Sequence, residues 1–256
     1  MTLIKFFLKK IYRNKLSMLF RNLIGIKPAI FLINLNNYNI STSDAFFWRT
    51  DSGYSTIFKF SDLLSLYLNE NLNEVEILFY DKFNKFIKSK NIVKIDLNNK
   101  LVIDSTFLNG LEDYGVFYIF HKSENQINSI IRNSCYTGYS YKNCLPSFVH
   151  GNLITSLKSF DGSYSKFGII GVSKFKQNIY KIQNYHNFDK TEIAIMNPTE
   201  NTLEITINEK KIILKSCNAK ILDVGEEKTI SIKSKCYLLR PVIFNYQNNF
   251  IDVYHG

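Results

Sequence analysis

The run EVEILFY (74–80) indicates a β-strand, because β-branched and aromatic residues dominate it. Similar runs recur between clusters of Asn, Asp, Gly and Ser: AIFLINL (29–35), NIVKIDL (91–97), YGVFYIF (114–120) and TLEITI (202–207). Many short strands separated by turn-forming residues are typical of an all-β sandwich or barrel. After Pro28, only SDLLSLYLN (61–69) favours a helix, with Ser61 as its N-cap.

Length and composition fit one large β domain or two smaller ones. The chain has 256 residues, of which 45% are hydrophobic and 21% charged, so we expect it to bury a sizeable core. With 11 Gly and 4 Pro, no long flexible linker is expected.

A weak internal repeat divides the chain. When the chain is laid over itself, IKSKNIVKID (87–96) aligns with LKSCNAKILD (214–223), and a shift by a single position aligns Val116 with Val242. Each copy reads as a similar series of short strands with one apolar face to hide. The predicted fold class is therefore mainly β: two related antiparallel β-sandwich-forming units with pseudo-twofold character, preceded by an N-terminal amphipathic α-helix.

The same patterns predict four segments along the chain. They are a basic amphipathic helix (1–28), a first β unit (29–121), an insert that carries the candidate site (122–170) and a second β unit (171–256). Because the insert falls outside the repeat, it is the first place to look for function.

The positive charge is concentrated at the N-terminus. Seven of the net ten positive charges come from the segment 1–43, which contains no acid, so the rest of the chain carries only about +3. A nucleic-acid-binding body needs a concentrated basic face to neutralise several phosphates. We therefore expect no nucleic-acid partner.

The segment from Met1 to Pro28 predicts attachment to a membrane surface. Its apolar residues fall in one broad arc of a helix, although charges intrude on it. The predicted membrane-binding residues are Lys5, Lys9, Lys10, Arg13 and Arg21. No secretory signal or bilayer-spanning run is predicted, so the expected location is cytoplasmic and peripheral, on anionic lipid or a membrane protein. The alternative is a helix that packs on the protein itself.

Metal and cofactor chemistry find no support in the sequence. Cys135, Cys144 and His150 are too widely separated to match any compact zinc spacing. Nucleophile-elbow, zinc-protease and phosphate-loop motifs are absent from the sequence. We expect no metal, no cofactor and four reduced cysteines.

The stretch RNSCYTGYSYKNCLPSFVHGN (132–152) predicts a ligand site. Its aromatic rings and fixed hydrogen-bond donors suit a sugar, whose faces stack on rings while its hydroxyls need polar partners. The predicted ligand-binding residues are Arg132, Tyr136, Tyr139, His150 and Asn152. The first hypothesis is a non-catalytic binding protein with a saccharide or glycolipid ligand.

Two other classes of function stay open at this level. A glycan-processing enzyme would pair a histidine with a carboxylate as acid and base, with His150, His186, Asp161 and Asp189 as candidates. A structural assembly subunit would use exposed strand edges. Convergence of a histidine and a carboxylate in one pocket would favour the enzyme.

Overall fold

The protein is mainly β in a computed structural model, with 57% of its residues in strands. The structure describes residues 41–69, 74–96, 98–122, 135–151, 154–158, 164–165, 172–173, 177–184, 187–236 and 239–256, together with positions 4, 7, 8, 11, 14, 16, 17, 20, 21 and 175.

Four small antiparallel sheets are arranged as a four-bladed β-propeller. Blade I has the strand order β2 (Phe46–Arg49), β7 (Tyr114–His121), β4 (Glu74–Asp81), β5 (Phe86–Val93). Blade II has the order β6 (Asn99–Ile103), β3 (Tyr54–Phe60), β8 (Tyr136–Tyr141), β9 (Ser147–His150). Blade III has the order β12 (Asn178–Gln183), β17 (Thr229–Ser234), β14 (Leu203–Ile207), β15 (Lys210–Leu214). Blade IV has the order β16 (Ala219–Gly225), β13 (Lys190–Met196), β18 (Val242–Gln247), β19 (Phe250–His255).

Smaller elements complete the described part of the chain. A three-stranded sheet joins β1 (Ser41–Asp44), β10 (Ile154–Lys158) and β11 (Tyr164–Ser165), and a 3-10 turn covers Asp51–Gly53. The helix predicted over 61–69 is α1 (Leu63–Leu68). Its N-cap is Asp62, whose carboxylate accepts the amide N–H of Ser65 at 3.1 Å, and not the predicted Ser61.

The predicted pair of β-sandwiches is wrong, because blades I and IV are buried on both faces. In blade I, Trp48 packs toward blade II while its neighbour Phe47 packs toward blade IV. In blade IV, Ile193 packs toward blade III while Ala194 packs toward blade I. A sandwich sheet hides one face and wets the other, so the predicted single apolar face does not describe these strands.

The predicted pseudo-twofold arrangement is also wrong. Three core clusters exist in the described residues: one between blades I and II, one between blades III and IV, and one that joins blades I, II and IV. A twofold axis relating the two halves would bring blade III into the joining cluster as well. Within the described residues, that cluster contains nothing from blade III.

The strand order nevertheless repeats along the chain. Each strand of blades III and IV occupies the place of the strand numbered ten lower in blades I and II. The residue alignment predicted at a constant offset is wrong, because Val116 lies in β7 and Val242 in β18, whereas the counterpart of β7 is β17. The loops between equivalent strands differ in length, so the true offset changes along the chain.

Part of the predicted insert is built into blade II. Strand β8 pairs with β3 and then with β9, so the segment 136–150 forms half of that blade. Its side chains therefore alternate between the core and solvent, as strand geometry requires.

No continuous amphipathic helix is evident over the segment 1–28, which corrects that prediction within the described residues. Helical backbone is described there at eight positions only, and the apolar side chains described, such as Phe7 and Leu16, are more than half exposed. Among the residues that the structure describes, no helix combines the length and the apolar character needed to cross a bilayer.

Gly115 tests how closely blade I is packed. A Cβ added there would collide with the Tyr80 carbonyl oxygen and lie 2.8 Å from Nε1 of Trp48, which donates a hydrogen bond to that carbonyl. We expect Gly115→Ala to lower the free energy of unfolding by about 2–3 kcal/mol in urea denaturation. Gly225→Ala is the control, since its Cβ would meet nothing within 4 Å and only its φ of +68° is strained, at a cost of about 1 kcal/mol. Equal losses in the two variants would contradict the close packing.

Candidate functional site

A row of three side chains crosses the solvent face of blade II. Lys59 in β3 lies opposite Tyr136 in β8, and Tyr136 lies opposite His150 in β9. Directly opposed residues of antiparallel strands project from the same face. The Tyr136 and His150 rings consequently lie side by side, with centroids 4.4 Å apart.

A second row lies beside the first and adds another ring. Phe148 is opposite Gly138, and its ring occupies the space that a Cβ on Gly138 would fill. The ammonium group of Lys59 is 4.7 Å from the centre of the Phe148 ring. We name Lys59, Tyr136, Phe148 and His150 the aromatic platform.

A cavity of about 370 Å³ opens at the platform. It is lined by Lys59, Phe60, Ser61, Asn98, Tyr136 and Phe148. Its size is at the lower end of the range for small-ligand sites, which also combine aromatic walls with a few polar groups. Flat rings, one cation, one amide and two hydroxyl groups, those of Ser61 and Tyr136, therefore surround the same space.

The strand that carries half of the platform is fixed to the second half of the molecule. The Ser147 hydroxyl group accepts the amide N–H of Val253 at 3.1 Å, and Nε2 of His255 contacts the carbonyl oxygen of His150. Burial lowers the pKa of His255 below its ordinary value. These contacts hold β9 against β19, so the platform rests on a supported edge.

The structure brings together two of the five predicted ligand-binding residues. Tyr136 and His150 are neighbours on the platform. Tyr139 is fully buried on the opposite face, where its hydroxyl group donates to the Phe47 carbonyl at 2.9 Å, so it does not belong to this surface. Arg132 and Asn152 lie outside the described residues.

Sequence reasoning missed the other half of the platform. Lys59 lies far from the 132–152 stretch, and only the pairing of β3 with β8 brings it there, while Asn98 lines the cavity beside it. Phe148 could have been found, because the alternation in SFVH (147–150) places it on the same face as His150.

The predicted acid and base residues do not converge where the structure describes them. Asp189 accepts the amide N–H of Asn248 at 2.6 Å and so holds the turn between β18 and β19. His150 contacts Tyr136 on the platform instead. His186 and Asp161 lie outside the described residues.

Two of the four cysteines carry thiols that burial makes unreactive. All four cysteines are free, and burial raises the pKa of Cys236 to about 12 and also raises that of Cys135, which disfavours both thiolates. In the part of the chain that is described, no group of three or more His, Cys, Asp or Glu side chains could hold a metal ion.

A buried ionic cluster, which sequence reasoning did not find, joins the two halves. Arg49 in β2 binds both carboxylate oxygens of Asp51, at 2.7 and 3.0 Å, and one oxygen of Glu192 in β13 at 2.6 Å. Tyr246 donates to the same Glu192 oxygen at 2.6 Å, and Tyr54 donates to Tyr246 at 2.6 Å. Only 3% of the Arg49 side chain and 10% of the Glu192 side chain are exposed.

The charges in this cluster are fixed by their neighbours. Burial alone would raise the pKa of Glu192, but the Arg49 charge and the hydrogen bonds from Lys190, Tyr246 and Arg49 outweigh it and lower that pKa. Burial raises the pKa of Tyr54 and of Tyr246, so both phenols stay neutral donors. Every polar group of the cluster named here has a partner, as in the ion-pair networks that join two parts of a fold.

The chain matches no protein-family model, no curated protein and no solved structure. Its function must therefore be inferred from the geometry of the site itself.

Removing the Glu192 charge should destabilise the protein in a pH-dependent way. We expect Glu192→Gln to lower the free energy of unfolding at pH 7 by about 2 kcal/mol, because the buried Arg49 keeps only Asp51 as a counter-ion and Lys190 and Tyr246 lose a charged acceptor. The Glu192 pKa is lowered on folding, so its contribution is present above the pKa of the unfolded state and is lost as pH falls through the folded pKa. Urea denaturation at a series of pH values should show wild type and variant converging in acid.

Asp223→Asn is the matched control for this prediction. Asp223 also pairs with Lys190, at 3.3 Å, but 57% of its side chain is exposed. We expect a loss below about 1 kcal/mol, as is usual for exposed ion pairs. A loss equal to that of Glu192→Gln would show that burial of the charge is not what matters.

Proposed function

We propose that this protein is a non-catalytic binding protein whose ligand docks on the aromatic platform of blade II. The observation that carries the proposal is the exposure, on adjacent strands, of Tyr136, Phe148 and His150 beside a cavity with polar walls. Aromatic side chains on a protein surface lose contact with water when a flat ligand covers them, which favours binding.

The ligand that fits this surface has a flat ring face and polar groups at its rim. The rings of Tyr136 and Phe148 would cover the face, while Asn98, Ser61 and the Lys59 ammonium group would bind hydroxyl or anionic groups. A saccharide meets this description, as would other polar ring compounds.

An oligosaccharide array followed by calorimetry on the best ligand tests the proposal. We expect Tyr136→Ala to weaken binding at least about tenfold, because a stacked ring contributes on the order of 1 kcal/mol beyond its buried area. Lys59→Met should weaken anionic ligands more than neutral ones, because it removes the platform's cation.

Tyr67→Ala is the matched control for the ring. Tyr67 lies in α1 and is even more exposed than Tyr136, at 66% against 44%, but it is not part of the platform. Its removal should leave affinity within about twofold. An array without any saturable ligand would refute the saccharide, and equal losses for the two tyrosine variants would refute the platform.

Peripheral attachment to an anionic membrane is a second candidate property, supported by the charge distribution. The segment 1–43 contains seven basic residues and no acid, and several apolar side chains described there are exposed. Cationic segments are attracted to the anionic inner leaflet by roughly 1 kcal/mol for each basic residue near the surface. This proposal needs no helix and assigns the protein to the cytoplasmic face of the membrane or to a membrane protein there.

Vesicle sedimentation tests the membrane proposal. We expect simultaneous Lys5, Lys9, Lys10, Arg13 and Arg21→Gln substitutions to reduce binding to phosphatidylserine vesicles at least about tenfold. The control neutralises five exposed lysines of the β body, namely Lys85, Lys90, Lys94, Lys211 and Lys220. The control has the same net charge as the test variant. Similar losses in both would show that the N-terminal position of the charge does not matter.

A further inference from the structure

One connection between sheets is much longer in the first half than in the second. In the first half, the long segment 104–113 joins β6 to β7, whereas in the second half the short segment 226–228 joins the corresponding β16 to β17. These loops occupy equivalent places in the repeated strand order. A comparison of the two therefore shows whether the space beside the sheets is filled by the chain itself.

In the first half, the long connection covers the end of the β4–β5 hairpin. The segment 104–110 forms consecutive turns, in which the amide N–H of Phe107 donates to the Asp104 carboxylate at 2.7 Å. The Phe107 ring packs on Phe79, with ring centroids 5.3 Å apart. Lys88 donates to the Phe107 carbonyl oxygen at 2.8 Å, and its ammonium group lies 4.3 Å from the centre of the Phe107 ring.

The residues that hold Phe107 have counterparts in the second half. Phe79 and Lys88 are directly opposed in the β4–β5 hairpin, and Ile207 and Lys210 are directly opposed in the equivalent β14–β15 hairpin. Phe79 and Ile207 both belong to the core between the two blades of their half. Lys210 therefore stands where Lys88 stands.

In the second half, these counterparts line an open cleft. The cleft has a volume of about 830 Å³, and Ile207, Lys210 and Val224 are part of its wall together with the hydroxyl-bearing residues Thr206, Thr229 and Ser231. Lys210 forms no hydrogen bond of the Lys88 type to any residue that the structure describes. The volume lies within the range of ligand-binding clefts.

We propose that this cleft binds a turn-forming segment of a partner protein. The segment carries one aromatic side chain, which packs beside Val224 at the mouth of the cleft, since Ile207 below it is only 2% exposed, and presents a main-chain carbonyl oxygen to Lys210. In the first half, a turn with Phe107 fills the equivalent place, and its carbonyl oxygen accepts a hydrogen bond from the equivalent lysine, Lys88. The hydroxyl groups of the wall supply hydrogen bonds to the remaining main-chain groups of the segment.

A peptide with the sequence DSTFLNGL (104–111) is the probe. It is acetylated, amidated and fluorescently labelled, and its anisotropy is measured against the full chain. We expect saturable binding that weakens at least about fivefold in Lys210→Met, because the peptide carbonyl loses a charged donor. A peptide with Ala in place of Phe should weaken by at least as much.

Lys211→Met is the matched control. Lys211 is the next residue in β15, lies opposite Thr206 and pairs with Glu204 at 3.5 Å, so its loss should change peptide affinity by less than about twofold. Tyr136→Ala should leave peptide binding unchanged, which separates the cleft from the aromatic platform. Absence of saturable binding, or equal effects of the two lysine variants, would overturn the proposal. Binding that ignores the phenylalanine would overturn it as well, in favour of a ligand without an aromatic side chain.

Discussion

The buried pairing of Arg49 with Glu192 constrains the whole molecule, because neither charged group is solvated by water. Arg49 comes from blade I and Glu192 from blade IV, so the pair forms only when both halves have folded and met. Asp51 also pairs with Arg49, but loss of Glu192 would still leave the buried guanidinium group with one charged partner fewer, at a cost of about 2 kcal/mol. Tyr54 and Phe244 extend this requirement, since the guanidinium group lies 4.0 and 5.2 Å from their ring centres. The two halves are therefore coupled in folding, although each has its own core.

That coupling explains why a repeated strand order does not produce a symmetric molecule. Blade I meets blade IV through an aromatic face that includes Phe47 and Phe244, whereas blade III contributes nothing described to the joining cluster. Blade I buries one face against blade IV. Among the described residues, the equivalent face of blade III has no such partner in the joining cluster, so its sequence is not constrained by contact between the halves. The long connection with Phe107 and the short one at 226–228 are the clearest result, since one fills its space and the other leaves a cleft.

Strand positions could be predicted from the sequence, but their arrangement could not. EVEILFY and YGVFYIF became β4 and β7 because β-branched and aromatic residues favour strands locally. The pairing of β2 with β7, or of β3 with β8, depends on contacts between distant parts of the chain that leave no local pattern. The candidate site could likewise be predicted only in part. Alternation of side chains along β9 places Phe148 on the same face as His150, whereas Lys59 reaches them only through the pairing of β3 with β8. The prediction placed Tyr139 in the site wrongly, because it lies an odd number of residues from Tyr136 in β8 and therefore projects from the opposite face.

Burial on both faces also limits where function can reside. The interior of blades I and IV is filled by large side chains such as Trp48, Tyr80 and Phe244, each no more than 1% exposed. A ligand that entered there would have to displace close-packed atoms, at the cost of several kcal/mol of cohesion. Recognition is thus directed to outer faces and strand ends, where side chains project without contributing to the core. The platform of blade II and the cleft of blade III occupy these two kinds of place, so each can change its chemistry while the cores and the Arg49 junction stay intact.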